Sequence, residues 1–370
     1  MKYAYVTLLY PNKYGVCTYL DGAILTALGL RRQNVKHKII CMVTKDISEK
    51  DIQILKILYD EIIYIDYITP VKNLNGINII SNIFSQLYYK SDTEYTDIAN
   101  TFTKLHIFNS DLFDYDKILF VDNDLIPIEK YDQLFNLECP AGMLESILED
   151  KEMYRHNTNK YTRICDMVKD IKHNSKISDK YTKLYKVPGR SINAGLLLIK
   201  PDKIVFNNMI KLLQTPITEW EKIKFKFRGS IDFDRNNVNY YILLDQDFLT
   251  QYFEDSWHMI DPRFCFWGDN IKYDIYGIHM AGLFYIINNE KRNSKTWQIQ
   301  IPIDDGFNII SNKMALWGFK KYPKLKNTLY NNLKFYVFNK LYLINDIKIG
   351  DDIYNELNRY QKKIIDIYNK

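Results

Sequence analysis

Ile118-Leu119-Phe120-Val121-Asp122-Asn123-Asp124 decides how this chain is read. An apolar run of strand-forming residues delivers two carboxylates, spaced i and i+2, to its carboxyl end. In extended backbone both side chains face one way. There they can hold a hard divalent cation through oxygen ligands and leave positions open for phosphate oxygens. A bare Asp-x-Asp triplet is ordinary in strand-to-loop turns. The buried strand in front of this one, about a hundred residues into the chain, sets it apart.

The same alternation extends outward on both sides. Tyr3 to Leu9, Lys38 to Val43, Glu61 to Ile65, Ala141 to Leu144 and Ile192 to Ile199 have strand composition, and Tyr273 to His279 reads as a late strand. Thr18 to Leu30, Ser48 to Tyr59 (with Ser48 as N-cap), Phe102 to Ser110, a segment from Asp202, and Gln246 to Phe253 have helical spacing. Strands alternating with helices predict an open parallel sheet covered on both faces. Such sheets bind ligands at the carboxyl ends of their strands. Asp66 to Asn100 reads as a polar excursion and Lys151 to Lys186 as a charged surface insertion.

Several segments, in order, resemble glycosyltransferase family 8, the family of glycogenin and of bacterial lipo-oligosaccharide galactosyltransferases. Besides Asp122-Asn123-Asp124, these are Tyr5-Val6-Thr7-Leu8, Phe102-Thr103-Lys104-Leu105, Ile192-Asn193-Ala194-Gly195-Leu196, Asp245-Gln246-Asp247 and Ile278-His279-Met280-Ala281-Gly282. Each is weak alone; their order across residues 3 to 282 is what carries the resemblance.

The resemblance implies a Rossmann-like GT-A fold, α/β with a mostly parallel central sheet, over residues 1–300, followed by a helical C-terminal extension over 301–370. It implies a retaining, metal-dependent transfer of a hexose, glucose first, from a UDP-sugar to a glycan or glycoprotein acceptor. Mn²⁺, or Mg²⁺ in its place, would sit on Asp122, Asp124 and His279. Asp245, Gln246 and Lys104 are the candidate catalytic residues. Leu8, Tyr14, Lys104, Asp122, Asn123, Asp124, Asn193, Ala194, Gly195, Gly282 and Lys295 are candidates for holding the donor. Each also has a plainer reading: His279 as a satisfied core histidine, Lys104 as a surface lysine, Asp245 as a helix cap, Gly195 as strand punctuation.

One motif departs from the family pattern. Where the family has His-x-x-Gly-x-x-Lys-Pro-Trp, the lysine position holds Tyr285 and no Pro-Trp follows. Lys295-Thr296-Trp297 is either its displaced equivalent or an unrelated surface segment. The broken motif leaves a second reading open, a catalytically silent nucleotide-sugar or glycan-binding module. A Gly-rich phosphate loop, as in other nucleotide-handling sheets, is missing at Pro11-Asn12-Lys13-Tyr14-Gly15.

Composition narrows the classes further. A net charge of +5 and a pI near 8.6 give no nucleic-acid footprint. The abundance of Tyr, Ile, Asn and Lys matches the codons of an AT-rich genome. Five scattered cysteines without a CxxC pair exclude a disulfide framework and predict a reducing, cytoplasmic setting. No apolar run reaches the roughly 20 residues of a spanning helix. The lysine-rich, acid-free stretch from Gly318 to Asn345 reads as a packed solvated helix, with peripheral membrane or partner contact and homo-oligomerisation left open.

Overall fold

The computed structural model describes residues 1–12, 15–17, 19–69, 100–144, 168–182, 191–214, 224–227, 231–234, 245–266, 275–279 and 321–322. Its centre is a mixed α/β sheet of seven strands. Five of them are β1 (Tyr3–Leu9), β2 (Lys38–Thr44), β3 (Glu61–Ile65), β4 (Lys117–Val121) and, after a short β5 (Leu125–Pro127) outside the sheet, β6 (Ala141–Leu144). The others are β7 (Ile192–Ile199) and, beyond a separate hairpin of β8 (Lys224–Phe227) and β9 (Ile231–Asp234), β10 (His258–Met259). The spatial order is β10-β6-β7-β4-β1-β2-β3.

All neighbours pair in parallel except β7, which runs antiparallel to both β4 and β6. This one reversal is what builds the site. Because β7 points the other way, its first residues lie beside the carboxyl end of β4, with Leu196 opposite Val121. A last short strand, β11 (Gly277–His279), pairs antiparallel with β5, placing His279 opposite Leu125.

The strands are near-continuous apolar runs because both faces of the sheet are covered. Ile118, Leu119, Phe120, Leu196, Leu197, Leu198 and Ile199 are all buried. Helix α1 (Leu20–Arg32) is buried along most of its length and rests on β5, where the Thr26 hydroxyl donates to Leu125 O at 2.8 Å. Helix α2 (Glu49–Leu55) is capped as expected by Ser48, whose hydroxyl accepts from Asp51 N. A short turn of helix, α3, spans Asp179–Thr182; α4 runs Lys203–Gln214 and α5 runs Asp245–Tyr252.

Two expectations are corrected. Phe102 to Ser110 does not form an α-helix: residues Asn100–Phe108 wind as a 3-10 helix. Asp122 and Asp124 do not extend β4, which stops at Val121. They sit on a tight turn closed by Leu125 N donating to Asp122 O at 3.1 Å. Of the C-terminal extension only Lys321 and Tyr322 are described, and Tyr322 packs against the core. Among the described residues no helix is long and apolar enough to cross a membrane.

Candidate active site

The turn after β4 is held in place by its middle residue. Asn123 is buried, and its amide donates to Leu8 O at the end of β1 while its oxygen accepts from the Thr7 hydroxyl. Asn123 thus faces β1 and locks the turn, and Leu8 takes part through its carbonyl. The turn is tied on its other side by Asp122 N donating to Gly195 O of β7 at 2.8 Å.

With the backbone pinned, the carboxylates of Asp122 and Asp124 converge with the imidazole of His279. One ligand atom from each lies within 4.8 Å of the others. His279 Nε2 is 3.0 Å from Asp124 Oδ1. Asp124 and His279 are buried, while the Asp122 side chain keeps 35% of its exposure and so opens the cluster to solvent. Gly195 makes the approach feasible: a Cβ there would stand 2.8 Å from His279 Cε1 and 2.9 Å from Asn193 Oδ1.

The electrostatics are tightly shared. Lys104 is buried on the 3-10 helix, its ammonium 2.9 Å from Asp245 Oδ2, 3.4 Å from Asp122 Oδ2, and donating to Ala194 O at 2.9 Å. Burial opposes its charge, but Asp122 and Asp245 raise its proton affinity above the ordinary lysine value. Asp122 moves up as well: burial comes first and the Asp124 carboxylate adds to it, against the pull of Lys104. The His279 ring is held well above the ordinary histidine value although burial disfavours its charge, with Cys265 and Asp124 responsible.

Helix α5 packs against β7 and the 3-10 helix. Gln246 Oε1 accepts from Ala194 N at 3.2 Å and its Nε2 donates to Ser191 Oγ at 2.7 Å, so both ends of the amide engage β7 or the residue before it. Asp245, which opens α5, is an ion-pair partner of Lys104. Asn193 Oδ1 accepts from Gly195 N at 2.8 Å. The structure therefore assembles Leu8, Lys104, Asp122, Asn123, Asp124, Asn193, Ala194, Gly195, Asp245, Gln246 and His279 in one contiguous network. Tyr14, Gly282, Tyr285, Lys295 and Trp297 lie outside the described residues. Cys265, beside His279, is the residue that sequence reasoning missed; no spacing or motif marks it.

A sequence model of glycosyl transferase family 8 matches residues 16–296. The chain belongs to this family. The chain resembles the uncharacterized protein R707 of Acanthamoeba polyphaga mimivirus, 28% identical over 72% of this chain and 72% of that protein. Galactinol synthase 2 of Arabidopsis thaliana is 24% identical over 70% of this chain, which spans 63% of the synthase. A galactosyltransferase, LgtC, solved with donor and acceptor sugar analogues, aligns with a TM-score of 0.40 at 13% identity, over 84% of this chain and 95% of that one. Membership of family 8 makes the chain a glycosyltransferase, with its mixed, mostly parallel sheet as the framework.

Proposed function

We propose that the chain is a retaining, divalent-cation-dependent hexosyltransferase that takes its sugar from a UDP-sugar and hands it to a glycan or glycoprotein acceptor. The observation that carries this reading is the convergence of Asp122, Asp124 and His279 beside the Lys104–Asp245 ion pair. Two carboxylates and one imidazole make a donor set suited to Mn²⁺ or Mg²⁺ with positions left for phosphate. Bound there, the cation would supply Lewis-acid neutralisation of the charge on the departing diphosphate. A module that only bound glycans would have no use for such a buried cluster of ligands, which is why we set the silent reading aside.

The chain's own residues do the rest. Lys104 lies between Asp122 and Asp245, and its positive charge offsets the repulsion between the two carboxylates. Asp245, paired with Lys104, and Gln246, bonded to Ala194, are our candidates for stabilising positive charge on the sugar carbon as the glycosidic bond stretches. Asn193, Ala194 and Gly195 are our candidates for holding the donor sugar beside them. Retention would convert an α-linked donor to an α-linked product. Tyr14 packing on the base, Gly282 and Lys295 on the diphosphate, and residues 301–370 as a helical extension complete the proposal. Glucose is the first candidate for the sugar; the galactinol synthase relatives favour galactose as the second.

Calorimetry with UDP, GDP and ADP, each with and without Mn²⁺, tests the reading. UDP should bind at least about tenfold tighter than either purine diphosphate, roughly 1.4 kcal/mol, and only with the cation present. Equal binding of all three, or binding indifferent to Mn²⁺, would overturn it. Release of UDP from UDP-glucose or UDP-galactose then selects the sugar.

A further inference from the structure

The thiol of Cys265 is completely buried between two side chains of the site. Its sulfur lies 3.4 Å from His279 Nδ1 and 3.8 Å from Asn193 Oδ1. The Gly195 N–H, donating to the Asn193 side chain at 2.8 Å, fixes which end of that amide is the oxygen. An amide oxygen only accepts, so the Cys265 S–H points at Asn193. That leaves a sulfur lone pair facing His279 Nδ1, whose own hydrogen then points at the sulfur. The other nitrogen, Nε2, donates to Asp124 Oδ1 at 3.0 Å; a cation bound to Nε2 would take the place of that hydrogen and leave the one on Nδ1.

The backbone enforces this arrangement. Cys265 closes the 3-10 turn Pro262–Phe264 through its N–H to Pro262 O at 3.1 Å. Phe266 N then donates to Gly277 O at 3.1 Å and His279 N to Phe266 O at 2.8 Å, zipping the Cys265 segment onto β11. Gly277 permits the close approach, since a Cβ there would run into Tyr131 Oη and Phe264 O.

We propose that Cys265 is a positioning residue for the cation ligand His279: the relay from His279 Nδ1–H to Cys265 Sγ–H to Asn193 Oδ1 selects the ring tautomer that offers Nε2 to the cation. The inference rests on the cation site of the proposed function. Imidazoles that bind metals generally donate their second N–H to a partner that orients the ring, and losing that partner costs about ten- to a hundredfold in metal affinity. A serine hydroxyl can both donate and accept in the same place; an alanine can do neither.

Two measurements test it. Ring-nitrogen NMR of the full chain labelled with ¹⁵N-histidine and loaded with Mg²⁺ and UDP should show His279 as the Nδ1–H tautomer. Mn²⁺ affinity in the presence of UDP, read by calorimetry, should fall about tenfold or more in Cys265→Ala and return close to wild type in Cys265→Ser. The Nε2–H tautomer in the wild type, wild-type affinity in Cys265→Ala, or a Cys265→Ser variant no better than Cys265→Ala would each overturn the proposal. If Cys265→Ala fails to fold, an Nε2–H tautomer in the wild type, or an Mn²⁺ affinity of Cys265→Ser at least tenfold below wild type, still overturns the proposal. A wild type that binds Mn²⁺ alongside an unaffected Cys265→Ala removes this inference alone. A wild type that binds no Mn²⁺ removes the cation reading and this inference together.

Discussion

At the scale of single residues, the charges around Asp122 cannot be removed one at a time without consequence. Lys104 is the cation shared by Asp122 and Asp245, and both it and Asp245 are buried. Lys104→Met should therefore cost about 3 kcal/mol of stability, because it strands a buried carboxylate. Urea unfolding measures this; an unchanged midpoint would mean that solvent reaches the pair. Asp124→Asn removes one charged ligand and should abolish Mn²⁺-dependent UDP binding in calorimetry while leaving the urea midpoint within about 1 kcal/mol. Retained binding would dismiss Asp124 as a ligand. Asp122, Asp124 and His279 were legible in the sequence because carboxylates ending an apolar strand, and a histidine in an ordered set, are local patterns. Cys265 was not, because its partners Asn193 and His279 are brought to it by tertiary pairing alone. Asn123 was legible as part of the motif, but its contact with Leu8 and Thr7 depends on β1 lying next to β4.

At the scale of elements, strand boundaries were the best-read feature. β1, β3, β6 and β7 match their sequence limits, since apolar β-rich runs end abruptly at polar residues. The direction of β7 was not readable, because a strand buried on both faces looks the same in either orientation. The 3-10 winding of Asn100–Phe108 was missed for a similar reason: apolar spacing does not distinguish it from an α-helix over so short a span. The turn Pro262–Phe264, which presents Cys265, is stabilised at its entry by Asp261. That carboxylate accepts from Arg263 N at 2.9 Å and pairs with the Arg263 guanidinium at 2.7 Å. Burial works against its charge, but the hydrogen bonds from Arg263 hold its proton affinity below the ordinary aspartate value. A depressed carboxylate stabilises the fold above its unfolded value of 3.8 and loses that contribution as pH falls through the lower folded value. Asp261→Asn should thus lose about 1 kcal/mol at pH 7 and flatten the acid limb of a stability profile below about pH 5. Parallel profiles for the two proteins would show that the pair adds nothing.

At the scale of the whole molecule, ligand binding should register as global stability. With UDP at a hundred times its dissociation constant and Mn²⁺ present, unfolding should be harder by about 2.7 kcal/mol, and UDP alone should leave it unchanged. A thermal scan checks both arms. Lys295→Ala, in the segment proposed to reach the diphosphate, should lower turnover by about ten- to a hundredfold with little change in that scan. Wild-type turnover in that variant would move attention to Tyr285. The strand β11 has one more consequence, which concerns time. Asp122 and Asp124 are made early, and His279 follows only 155 residues after Asp124. β11 must then pair with β5, a strand laid down long before. Chains grow from the N-terminus, so the early strands can gather while His279 is still unmade. An unfinished or truncated chain that stops short of Gly277 therefore lacks the means to assemble the site, and it should not split donor sugar wastefully while synthesis is under way.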